Sequence, residues 1–162
     1  KTVSGVMRYF AKEFDPEREE FWAAVGMLHD LDFEQWPEEH CTKEQKLMEE
    51  LELDPELVHA CMSHGWGITV DVKPEQTMEK VLYATDELTG LIGAAAQMRP
   101  PRSVDDMELK SLKKKYKANG FAAGCSREVI GRGAELLGWE LDELLARTLD
   151  AMKSLPEELR TF

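Results

Sequence analysis

Positive charge is in short supply in this chain: 20 Lys and Arg stand against 32 Asp and Glu in 162 residues, a net charge of -12. A field of that sign repels phosphate backbones and anionic lipid surfaces, so neither nucleic acid nor a membrane is expected as a partner. Long apolar runs are missing too. The longest stretch free of Asp, Glu, Lys, Arg and His runs from Leu88 to Met98, far short of the ~20 apolar residues of a membrane-spanning helix. Cysteine is limited to Cys41, Cys61 and Cys125, an odd number without CxxC spacing. That excludes a disulfide framework and points to structural thiols in a reducing, cytoplasmic setting. No basic stretch followed by an apolar one opens the chain, so no secretory signal is read. The first residue is Lys1, not Met, inside a helical pattern, and a further stretch upstream is expected. Gly and Pro number 11 and 7, too few for a collagen-like or low-complexity chain. No alternating strand pattern appears.

What is present is helical punctuation. Asp15-Pro16-Glu17 and Asp54-Pro55-Glu56 each set a capping acid before a proline suited to the first helical turn. Ser103, with Asp106 three residues on, Ser126 before Arg127-Glu128, and Leu141-Asp142-Glu143 mark further starts, and Gly138 falls where a C-terminal cap belongs. Val81, Ala84, Leu88, Leu91, Ile92 and Ala95 recur at steps of three and four, as do Val129, Leu136, Leu137, Leu141, Leu144, Leu145, Leu149 and Met152 across two segments. The expectation is an all-α, single-domain compact bundle over 1–162, with about seven to nine helices. They run roughly over 1–14, 17–30, 43–52, 55–64, 76–98, 103–117, 127–137 and 141–153, followed by a short tail.

Several polar residues break these apolar patterns. His29-Asp30 interrupts the apolar segment Phe21 to Leu31. An Asp near a helix C-terminus is disfavoured by the macrodipole and asks for a positive charge nearby, which a cation would supply; alternatively the helix has frayed there and Asp30 caps a turn. Asp86 lies on a stripe with Leu82, Thr89, Gly90 and Gly93, small residues that leave room for a ligand or for a close helix, while Glu87 is expected to face solvent. His40 and His64 sit in turn-like contexts, whereas His59 reads as a packing or surface residue. Three imidazoles and two carboxylates, His29, Asp30, His40, His64 and Asp86, make a donor set suited to Mn, Fe, Co, Ni or Zn and poor for Ca. Trp36 and Trp66 either stack on a base or cover the core. Lys110, Lys113, Lys114, Lys115 and Lys117 form the basic run, read either as a solvated face or as phosphate contacts.

The order His-Asp, His, His, Asp on a helical chain resembles the HD-domain superfamily of metal-dependent phosphohydrolases. The tracts Leu28-His29-Asp30-Leu31-Asp32-Phe33-Glu34 and Ala84-Thr85-Asp86-Glu87-Leu88-Thr89-Gly90-Leu91 are similar to a bacterial HD or HDIG subgroup, with Val6-Met7-Arg8 and Leu112-Lys113-Lys114-Lys115 extending the likeness along the chain. The resemblance implies a phosphohydrolase acting on a small-molecule phosphate ester, with one or two divalent transition metal ions. His29, Asp30 and Asp86 would form the first site, and Asp30, His40 and His64 the second. The family's first-helix His has no counterpart, since no histidine precedes His29; alignment on Val6-Met7-Arg8 puts it just upstream of Lys1. Asp32 and Phe33 replace the Gly and Lys of the HDIG-K pattern, which leaves acid/base work to Asp32 or Glu34 beside Asp30. Glu38 or Glu39 is expected to orient an imidazole, and Arg99, Lys110 and Lys113 to contact phosphate oxygens. The competing expectation is a noncatalytic HD-like module that binds a nucleotide or a protein partner.

Overall fold

The computed structural model describes residues 1–30, 37–39 and 41–162. Among these are nine α-helices and no strand: α1 Thr2–Phe14, α2 Glu19–Leu28, α3 Thr42–Glu50, α4 Pro55–Ser63, α5 Thr77–Gln97, α6 Leu109–Lys117, α7 Arg127–Leu137, α8 Leu141–Lys153 and α9 Glu157–Arg160. No helix is long and apolar enough to cross a membrane among the described residues. Asp32, Glu34, Trp36 and His40 lie outside them.

The caps explain most of the boundaries. The Asp54 carboxylate accepts from the Glu56 N–H at 2.8 Å with Pro55 in the first turn, and Ser126 Oγ accepts from the Val129 N–H at 3.2 Å. Gly138 closes α7 at φ 70°, the left-handed conformation a residue without Cβ adopts freely. At the start of α5 the Glu79 carboxylate accepts from the backbone N–H groups of Glu75 and Gln76, at 3.1 and 3.0 Å.

Two expected starts differ. Asp15 does not cap α2: its carboxylate accepts from the Trp22 indole N–H at 3.2 Å, Pro16–Arg18 form a 3-10 turn, and the helix begins at Glu19. Ser103 does not open the sixth helix, which begins at Leu109. Its hydroxyl accepts from the Asp105 N–H at 3.2 Å in a local turn, while Val104 N–H bonds Arg160 O at 3.1 Å and the Val104 and Met107 side chains are buried. A serine turn and the docking of the C-terminal segment thus displace the helical pattern there.

α5 is the spine, packed by α1, α4, α6, α7 and α8. Leu82, Leu88, Leu91 and Ile92 are fully buried. α7 crosses α5 at Gly133, where a Cβ would stand 2.4 Å from the Ala84 Cα. This close crossing anchors α5 two residues before Asp86. α1 and α2 form the neighbouring hairpin, and α2 ends just before His29 and Asp30.

Candidate metal centre

α2 stops at Leu28, and His29 remains in helical backbone conformation with its N–H bonded to Val25 O at 3.0 Å. That geometry turns the imidazole inward. Its Nδ1 lies 2.8 Å from Gly26 O; a carbonyl only accepts, so Nδ1 carries the proton and Nε2 is the atom turned toward the site. Asp86 Oδ1 and Asp30 Oδ2 both stand 3.1 Å from that Nε2. His64, at the C-terminal end of α4, repeats the device: its Nδ1–H donates to Cys61 O, and its Nε2 faces Asp30 Oδ1 at 3.5 Å.

These groups control one another's protonation. Burial pushes the His29 imidazole down, but the Asp86 charge and the hydrogen bonds to Asp30 and Asp86 outweigh it and raise it to about 9. For His64, too, burial acts downward, and its bonds to Asp30 and Cys41 carry the imidazole well above its ordinary value. Burial raises the Asp86 carboxyl, yet the neighbouring His29 brings the net below the usual range. Glu87 goes the other way, raised by burial and then by the Asp86 charge.

Asp30, His64 and Asp86 share the wall of a cavity of about 370 Å³ with Tyr83, Glu87, Gly90, Cys125 and Val129. That volume suits a small molecule. Glu87, expected in solvent, belongs to this wall: its carboxylate accepts from the Ser126 N–H at 3.2 Å, which ties α5 to the start of α7. Behind that wall Arg132 donates to the Tyr83 hydroxyl at 3.2 Å, with its guanidinium 5.5 Å from the Trp66 ring centroid and paired with Glu128 at 2.8 Å.

Of the residues singled out in the sequence, His29, Asp30, His64 and Asp86 meet. His40 and Asp32 lie outside the described residues. Arg99, Lys110 and Lys113 are not brought to the cavity: Arg99 pairs with Asp106 at 3.0 Å, Lys113 pairs with Asp142 at 2.8 Å, and Lys110 and Lys113 line a groove along α6. Glu38 and Glu39 are exposed, and Glu39 pairs with Lys43 at 3.4 Å. The imidazoles of His29 and His64 are oriented by the carbonyls of Gly26 and Cys61. Sequence reasoning passed over Tyr83 and Arg132, which carry no local signal, and placed Cys41 only among structural thiols, although its Sγ stands 3.9 Å from His64 Nε2.

One atom each from His29, Asp30 and Asp86 gather within 4.8 Å of one another. An imidazole fixed by a backbone carbonyl and two converging carboxylates are the surroundings that a borderline divalent ion selects. Comparison with protein-family models, curated proteins and solved structures finds no match for the chain.

Proposed function

We propose that the protein is a metal-dependent phosphohydrolase of the HD type, acting on a small phosphate ester such as a nucleotide. The main support is Asp30, which stands on the wall of a substrate-sized cavity and offers one oxygen to each of two buried imidazoles. His29, Asp30 and Asp86 would hold the ion, one of Mn, Fe, Co, Ni or Zn, and His64 approaches Asp30 from its other side. Such an ion supplies Lewis acidity toward phosphoryl oxygens and acidifies water.

The chain's own residues do the rest. The Gly26 and Cys61 carbonyls keep the proton on Nδ1 of each ring, so Nε2 stays directed at the carboxylates. Glu87, a carboxyl raised above its ordinary value by burial and by the Asp86 charge, stands at the cavity wall. Arg132 bonds the Tyr83 hydroxyl of that wall, but its charge is paired with Glu128 at 2.8 Å, so offsetting the chain's negative field for an anionic substrate would fall to the ion. A cytoplasmic setting belongs to the same proposal, in keeping with three cysteines that form no disulfide.

The test is phosphate release from a panel of nucleoside monophosphates and other phosphate esters, by protein stripped with chelator and reloaded with Mn(II) or Fe(II). Release restored by metal and lost in Asp86→Asn is expected. A folded, reloaded protein that releases no phosphate from any ester overturns the proposal.

A further inference from the structure

Beside the centre formed by His29, Asp30 and Asp86 lies a second cluster of different chemistry. Cys41 and Glu44 are 0% exposed and His64 8%, and one potential ligand atom of each falls within 4.8 Å of the others. The Cys41 Sγ to His64 Nε2 separation is 3.9 Å. Sulfur and nitrogen on one tetrahedral zinc, at about 2.3 and 2.0–2.1 Å from the ion, stand roughly 3.6 Å apart. The pair is therefore spaced close to what a shared ion requires. The His64 ring is held for this by its Nδ1–H bond to Cys61 O, the backbone anchor common to metal-ligating imidazoles.

Two further observations point to the thiol. Cys41 has φ 70° and ψ -39°, a backbone conformation that side-chain-bearing residues rarely adopt and that persists where surroundings over-determine it. Its Sγ packs against Gly65, where a Cβ would stand 2.8 Å from the sulfur. The residue following His64 thus leaves, by its missing Cβ, the space that the thiol shares with the Thr69 hydroxyl.

We infer that Cys41, Glu44 and His64 form a second metal site, with a thiolate among its ligands, for a thiophilic divalent ion such as zinc(II). The inference goes beyond the hydrolase proposal and needs no turnover. Sulfur, nitrogen and carboxylate together favour zinc over the oxygen-seeking Mg, Ca or Mn, whereas the centre at His29, Asp30 and Asp86 contains no sulfur. The chain would then carry two neighbouring sites of unequal softness, meeting where His64 faces both Asp30 and Cys41.

Cobalt(II) titration of the metal-free protein reads the thiolate directly. A thiolate-to-cobalt charge-transfer band in the near ultraviolet is expected, abolished in Cys41→Ser, retained in Asp86→Asn and displaced by zinc(II). Cobalt-edge X-ray absorption on the wild-type protein reads the same ligand without a variant: sulfur in the coordination sphere is expected. A folded wild type without the band, a band that survives Cys41→Ser, or a coordination sphere of nitrogen and oxygen alone overturns the inference.

Discussion

The imidazoles of His29 and His64 stand edge to face, with ring centroids 5.0 Å apart at 86°, and the two Nε2 atoms address opposite oxygens of Asp30. One carboxylate thus joins the end of α2 to the end of α4, while Asp86 closes the group from α5. Loss of Asp86 removes a hydrogen-bonded carboxylate from His29, while His64 keeps its bond to Asp30. In Asp86→Asn, metal affinity is expected to fall by at least the roughly 10- to 100-fold that loss of an outer-shell partner produces, with the helical circular dichroism unchanged. Isothermal titration with Mn(II) checks this, and wild-type affinity in the variant would remove Asp86 from the ligand set.

The metal-free protein should depend on pH through His29. Its folded-state value, about 9, lies above the ordinary ~6.5 of histidine. The corresponding stabilisation is fully present below pH ~6.5 and is lost as pH rises through about 9. Urea midpoints are expected to decline across that window, while metal affinity climbs because a proton must leave Nε2 before an ion binds. A His29 ring that titrates near ~6.5 by NMR, with flat stability above it, contradicts the geometry.

Arg127 should matter for the cavity wall and not for metal. Its guanidinium donates to the carbonyls of Tyr116, Ala122, Cys125, Lys115 and Phe121, at 3.2, 2.7, 3.0, 3.4 and 2.5 Å. This single side chain gathers the segment between α6 and α7 that carries Cys125 to the cavity. Lysine, a point charge with three donors, cannot reproduce the planar fork. Arg127→Lys is expected to lose about 1–3 kcal/mol and to open the segment 118–125 to protease, with metal content unchanged. Wild-type stability and protease resistance would show the fork to be dispensable.

Gly133→Ala tests the helix crossing. Its new Cβ would meet the Ala84 backbone at 2.4 Å, and no flexible side-chain end is there to yield. A loss of about 1–3 kcal/mol is expected, read as a drop of several degrees in Tm, with weaker metal binding because Asp86 follows Ala84 by two positions on α5. An unchanged Tm would mean that the crossing relaxes freely.

The helices were legible because their signals are local: Asp54-Pro55, Ser126 and Gly138 act through their own neighbours, and the structure uses each as a cap. Ser103 misled because its capping pattern competes with a serine turn, and the decision falls to Val104 and Arg160, far apart in sequence. His29, Asp30 and Asp86 stood out as polar groups inside apolar stripes. Glu87 did not, because helical spacing alone cannot reveal the Ser126 N–H it meets. The roles of Cys41 and Arg132 depend on contacts with residues 23 and 49 positions away, His64 and Tyr83, and no local pattern announces those.

The most direct test is metal content per chain, measured by mass spectrometry on wild-type protein and on Asp30→Ala, both purified without chelator or a histidine tag. Roughly one or more equivalents of Mn, Fe, Co, Ni or Zn are expected in the wild type, with a loss of most of it in the variant, since Asp30 faces both imidazoles. A folded wild type that takes up no transition metal even when supplied with it, or an Asp30→Ala protein that keeps its full complement, would contradict that expectation.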